Sequence, residues 1–160
     1  MSAVVSNASP LISLAKAGLL ELLPQRFTMV VVPQAVVEEI LQGPDNDPML
    51  MVVGKLPWLK QITLEPALTP LAYWQLGRGE SEVIEHARRN PGICALLDDK
   101  DARNIAVALQ IPVMGTLGIV AKSVRHGDVA LFDSMVNRLK DAGIYLNEAV
   151  ISAVRKGLGK

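Results

Sequence analysis

Four side chains with oxygen donors fall where the chain passes between a buried strand and a helix. Asn7 closes the apolar run Ala3-Val4-Val5. Glu39 stands on the helix expected after Met29-Val30-Val31-Val32. Glu80 opens a helix behind Gly77-Arg78-Gly79, and Asp98 directly follows the apolar run 93–97. In an open parallel sheet, ligands collect beyond the carboxyl ends of the strands, so these residues can converge although they lie far apart in sequence. A site built from them is all oxygen, with no imidazole or thiolate. Such sites select hard cations, magnesium or manganese, over zinc. Cations of this kind polarise a phosphoryl oxygen, lower the pKa of a bound water and stabilise a leaving oxygen. Phosphodiester hydrolysis is the reaction class to which this pattern points.

Several neighbours could support that chemistry, and each also has a structural explanation. Asp99 and Asp101 follow Asp98, where a helix cap and first-turn negative charge are favoured in any protein. The first-turn argument applies equally to Glu80. Glu38 reads as an exposed neighbour of Glu39, and Glu82 as a further acid on the Glu80 helix. Arg103 lies one or two helical turns past Asp98, where it can approach a phosphate or serve an ion pair. Thr116 starts a helix after the apolar run 111–114. Lys122, Arg125 and His126, with Arg88 and Arg89, offer a basic rim or a plain solvated face. His86 and His126 receive no catalytic role, and Cys94, set among apolar residues, reads as core.

The elements that must position these groups alternate between strand and helix. Ser9-Pro10 looks like a helix start, with a hydroxyl cap and proline at the first helical position; Leu11, Ile12, Leu14 and Ala15 give the apolar face, and Gly18 stops it. Pro33 ends the second strand and opens a helix through Val36, Val37, Ile40 and Leu41. Asp47-Pro48 caps a short helix, and 61–64 reads as a small extra strand. A helix over 80–89 ends at Asn90-Pro91-Gly92. Further helices are expected through Ile105 and Leu109, from Gly115-Thr116 to His126-Gly127, over 130–141 and over 147–156. Strands alternating with helices predict a parallel sheet covered on both faces. Without a repeat or a dividing linker, residues 1–160 are expected to form one domain.

Composition narrows the classes. Of 160 residues, 50% are apolar and 20% charged, which excludes a disordered chain. Aromatics are scarce, two each of Trp, Tyr and Phe, so the core must be aliphatic, as suits a buried parallel sheet. The formal net charge is zero, so binding to a polyanion would rest on a local patch. One cysteine excludes an intrachain disulfide and a thiolate-rich zinc site. Neither a signal peptide nor a long uncharged apolar stretch is apparent, and a cytoplasmic protein with no membrane partner is expected.

Five segments together resemble the PIN-domain family, in particular a bacterial and archaeal branch. Val4-Val5-Ser6-Asn7-Ala8-Ser9-Pro10-Leu11 is similar to the family's opening, and Val32-Pro33-Gln34-Ala35-Val36-Val37-Glu38-Glu39 to its second motif. Leu76-Gly77-Arg78-Gly79-Glu80-Ser81-Glu82 is similar to the third. Leu97-Asp98-Asp99-Lys100-Asp101 and Val113-Met114-Gly115-Thr116 follow in the expected order. The resemblance implies a three-layer α/β/α sandwich around a mostly parallel sheet. It also implies RNA cleavage with magnesium or manganese, and acidic ligands at Glu39, Glu80 and Asp98. Many members are toxins of toxin–antitoxin pairs, often homodimeric and neutralised by a small antitoxin protein. Asn7 stands where the family usually has its first aspartate. A neutral amide oxygen there implies lower metal affinity, and with it the alternative of a catalytically weakened module that binds RNA or protein.

Overall fold

The computed structural model describes residues 2–69 and 75–159. Five strands, β1 (Ala3–Ser6), β2 (Met29–Pro33), β3 (Leu59–Ile62), β4 (Cys94–Leu96) and β5 (Val113–Met114), form one parallel sheet in the order β3-β2-β1-β4-β5. The register pairs Val4 with Val30 on one side and with Cys94 on the other. The chain thus leaves β1 toward β2 and returns on the opposite flank at β4. That reversal opens a crevice beyond the carboxyl ends of β1 and β4, the place where such sheets hold ligands.

Nine helices among the described residues cover the sheet as an α/β/α sandwich: α1 (Ala8–Lys16), α2 (Leu22–Arg26), α3 (Gln34–Leu41), α4 (Pro48–Val52), α5 (Arg78–Arg89), α6 (Lys100–Ala108), α7 (Thr116–Ser123), α8 (Val129–Asp141) and α9 (Glu148–Leu158). Strand residues Val4, Val5, Val30, Val31, Val32, Ala95 and Leu96 are buried, as expected for a parallel sheet covered on both faces. Helix α5 lies across β1, β2 and β4 and packs on α3. It turns its apolar residues Val83, Ile84 and Ala87 into the core.

Local chemistry explains most element boundaries. Gly18 sits just past α1 at φ +69°, a left-handed conformation that glycine adopts without a Cβ penalty. Asp47 accepts from the Met49 N–H at 2.9 Å ahead of Pro48, the expected cap. The small extra strand runs over Leu59–Ile62, two residues earlier than the reading of 61–64, and pairs with β2. Three starts and stops differ. Helix α1 begins at Ala8, with Asn7 in the cap position, and Ser9 is already helical. Helix α5 takes in Arg78 and Gly79 behind a Gly77 cap. Helix α7 ends at Ser123, where Val124 becomes extended, short of His126. The five-residue α2 had no counterpart in the sequence reading. Among the described residues no helix is long and apolar enough to cross a membrane.

Candidate active site

Strand β1 delivers Asn7 to the crevice. Its backbone N–H donates to Leu96 O at 3.1 Å, which prolongs the β1–β4 pairing by one step. Its φ and ψ, −77° and 172°, are those of a helix cap, yet its side chain makes no capping bond. The amide oxygen Oδ1 is instead buried, with no hydrogen-bond partner among the described residues. A buried acceptor left unpaired costs roughly 1–3 kcal/mol, so its orientation calls for a donor or a cation.

Glu39 and Glu80 reach the same region from α3 and α5. Where a Cβ on Gly79 would sit, Glu39 Oε2 lies 3.1 Å away and Asn7 Oδ1 3.4 Å away. Glycine at 79 therefore leaves open the space on which two oxygens converge. Glu80 Oε2 is a second buried acceptor without a partner among the described residues. Burial raises the Glu80 carboxyl above the ordinary carboxylate range. The negative charges of Asp99, Glu39 and Asp101 add to this, partly offset by a backbone hydrogen bond from Gly77. One carboxyl group thus experiences acids from α3, from the β4 exit and from the first turn of α6.

Asp98 is held differently. Its Oδ1 accepts from the Thr116 N–H at 2.7 Å. Its Oδ2 accepts from the Thr116 hydroxyl at 2.8 Å and the Ser9 hydroxyl at 2.9 Å. Three donors from α1 and α7 fix this carboxylate, which in return caps α7 from another part of the chain. The Ser9 hydroxyl that the sequence suggested as a cap for α1 is spent here, on a residue 89 positions away. Asp98, Thr116 and Arg103 line a groove of about 410 Å³. Asp99 caps α6 by accepting from the Ala102 N–H at 2.9 Å, and exposed Asp101 lies in the first turn of that helix.

The sequence candidates therefore fall into two adjoining groups along the carboxyl edge. Asn7, Glu39 and Glu80 gather around Gly79, with Asp99 and Asp101 close enough to Glu80 to raise its pKa. Asp98 and Thr116 bind each other, with Arg103 on the same groove. Other acids have tasks elsewhere. Buried Glu82 accepts from the Ala35 N–H at 3.3 Å and pairs with Arg78 at 3.3 Å, tying α5 to the start of α3. Glu38 also pairs with Arg78, at 3.2 Å. Arg88 and Arg89 close on Glu85 at 2.7 and 2.8 Å. This removes both arginines from the suggested basic rim, a pairing already implied by a glutamate three and four positions earlier. Burial pushes the Cys94 thiol up, in line with its placement against the core. Burial, then Arg89 and Lys60, lower the His86 imidazole.

The donor set around Gly79 is one amide oxygen and two carboxylates. Among the described residues no three acidic, imidazole or thiolate groups stand close enough to hold a metal ion together, as follows where an amide replaces one acid. The set is nonetheless all oxygen, and two of its atoms are buried without a partner. Both features fit a hard divalent cation such as magnesium or manganese.

Searches of curated proteins and of solved structures each found no match to the chain. A family model described as a PIN domain, a nuclease fold whose members generally depend on divalent metals, matches residues 3–160, and the chain belongs to the PIN-domain family.

Proposed function

We propose that this protein is a metal-dependent ribonuclease that hydrolyses RNA phosphodiester bonds. In this reading Asn7, Glu39 and Glu80 are the ligands of magnesium or manganese. The observation that carries it is the pair of buried, unpartnered acceptors, Asn7 Oδ1 and Glu80 Oε2, at the carboxyl edge of the central strand. When bound, the cation supplies positive charge at the phosphoryl oxygens and makes a nearby water more acidic. Glu80 accepts the proton of the attacking water through Oε2, a buried acceptor that no group among the described residues occupies. The water oxygen forms the new bond to phosphorus, the bond to the leaving ribose oxygen breaks, that oxygen takes a proton from solvent, and Glu80 returns the water's proton to solvent. Arg103 faces a phosphate from the groove side. Asp98 holds Thr116 and Ser9 in place, and Asp99 and Asp101 keep the local charge negative.

The test is manganese-dependent cleavage of a mixed-sequence RNA by the unmodified protein, beside Glu80→Gln and Asp98→Ala. Cleavage lost in Glu80→Gln and under chelation is the expected result. Undiminished cleavage in chelator, or by Glu80→Gln, would count against the reading. Asn7 and the lack of a three-acid cluster among the described residues favour a second reading, a weakened module that binds RNA or a protein without cutting. It predicts no turnover by the unmodified protein and cleavage gained in Asn7→Asp. A role as the toxin of a toxin–antitoxin pair, a homodimeric state and a small antitoxin partner are part of the proposal, and family membership alone supports them.

A further inference from the structure

Tyr145 is 88% exposed, far more than any other large apolar side chain among the described residues. Its backbone is well anchored. The Gly143 N–H donates to Lys140 O at 2.9 Å and the Ile144 N–H to Leu139 O at 3.0 Å. Two residues further on, Asn147 Oδ1 accepts from the Ala149 and Val150 N–H groups at 2.9 and 3.2 Å. Ordered chain on both sides thus holds an aromatic ring in solvent, although the chain has few aromatics to spend. Tyr145 lines the 410 Å³ groove that contains Asp98, Thr116 and Arg103, and it also lines a neighbouring hollow of about 460 Å³. The Arg103 guanidinium makes no hydrogen bond or ion pair among the described residues. Its Nη1 lies 3.6 Å from the place a Gly115 Cβ would take, beside Asp98 Oδ1 at 3.0 Å. Because Asp98 already accepts three hydrogen bonds, the fork of Arg103 stays available to an anion in the groove.

We infer that Tyr145 is a stacking platform for an unpaired base of single-stranded RNA, whose phosphate is gripped by Arg103 as the strand enters the crevice. For its substrate the inference rests on the ribonuclease reading, and it narrows that substrate to unpaired RNA. The two halves match a nucleotide: a flat, exposed π-face for the base and a planar cation for the phosphate, on one groove that also holds Asp98 and Thr116. Aromatic faces receive bases that are free to leave a helix, whereas bases in a duplex keep their faces stacked on one another.

The experiment measures binding in chelator, so that affinity is read apart from cleavage. A short labelled single-stranded RNA carrying 2-aminopurine is titrated with the unmodified protein, Tyr145→Ala, Tyr145→Phe and Arg103→Ala, beside a perfectly paired hairpin. Tyr145→Ala is expected to weaken single-strand binding by roughly ten-fold and to abolish quenching of the 2-aminopurine. Tyr145→Phe keeps both, Arg103→Ala weakens binding, and the hairpin binds poorly. Equal affinity of Tyr145→Ala and the unmodified protein, or equal affinity for hairpin and single strand, would overturn the proposal. Absence of RNA binding by the unmodified protein would also overturn it and leave a protein partner as the occupant. Tyrosine-dependent binding with no manganese-dependent cleavage leaves the platform standing and removes the ribonuclease reading. Cleavage at an unchanged rate and affinity in Tyr145→Ala does the reverse.

Discussion

Asn7→Asp tests the site most directly, because it restores a carboxylate where the structure has a buried, unpartnered amide oxygen. Asn7 Oδ1 and Glu39 Oε2 both lie within 3.4 Å of the Cβ position that Gly79 leaves empty, so their separation cannot exceed twice that. Two like charges at this range repel by about 2.5 kcal/mol at an effective dielectric near 20. Glu39 is exposed, and screening by solvent brings the net cost to about 1–2 kcal/mol. For a chain of this size each kcal/mol moves the midpoint of thermal unfolding by roughly 2–4 °C. In chelator the variant should therefore melt roughly 2–8 °C below the unmodified protein. Manganese should reverse the order. A divalent ion turns the repulsion into ligation, and each ten-fold gain in affinity adds about 1.4 kcal/mol of stability at saturating metal. The assay is thermal unfolding followed by circular dichroism, in chelator and across a manganese titration. Equal midpoints in chelator together with equal manganese shifts would refute the reasoning, since they would mean that position 7 is electrically remote from the two glutamates.

Two further outcomes follow from the same geometry. The Glu80 carboxyl is raised, so the folded chain binds its proton more tightly than the unfolded one. The stability this contributes is present at acid pH, below the ordinary carboxylate pKa, and is lost as pH rises through the raised value. In chelator, Glu80→Gln should flatten that fall and be the more stable protein at neutral pH, while losing the manganese-induced shift; an unchanged pH profile of the melting midpoint would contradict this. Thr116→Val removes one of three donors to Asp98 and should cost about 1–1.5 kcal/mol, read as a lower denaturant midpoint at constant slope. A midpoint within error of the unmodified protein would mean that solvent replaces the hydroxyl.

The sheet was legible because buried parallel strands need continuous apolar runs, and Val4-Val5, Val30-Val31-Val32 and Ala95-Leu96-Leu97 supply them. Boundaries set by bonds within a few residues were legible too: Asp47 reaches Met49 and Asp99 reaches Ala102. Ser9 misled for the opposite reason. Ser-Pro has the local form of a cap, but the hydroxyl has a stronger acceptor in Asp98, and sequence-local rules are blind to a partner 89 positions away. Glu82 is similar, since its carboxylate answers an N–H from α3. Within the candidate site, the family pattern marked Asn7, Glu39, Glu80 and Asp98. It did not indicate that Asp98 would be tied to α1 and α7 while the other three gather at Gly79. Tyr145 had no signal beyond being an aromatic residue outside the periodic segments.

The strand order has a consequence for how the protein comes into being. The central strand β1 is made first, yet its β4 neighbour is synthesised some ninety residues later, when Val4 can finally meet Cys94. Closing so long a loop is slow relative to local helix formation, and on a ribosome it cannot start before that stretch of chain has emerged. Glu39 and Glu80 are therefore without the β4 flank of the crevice until that strand has been made, and the Asp98–Thr116 clasp forms later still. A nascent chain that ends before β4 would carry half a crevice, and the complete edge would exist only once the chain through Thr116 had been made.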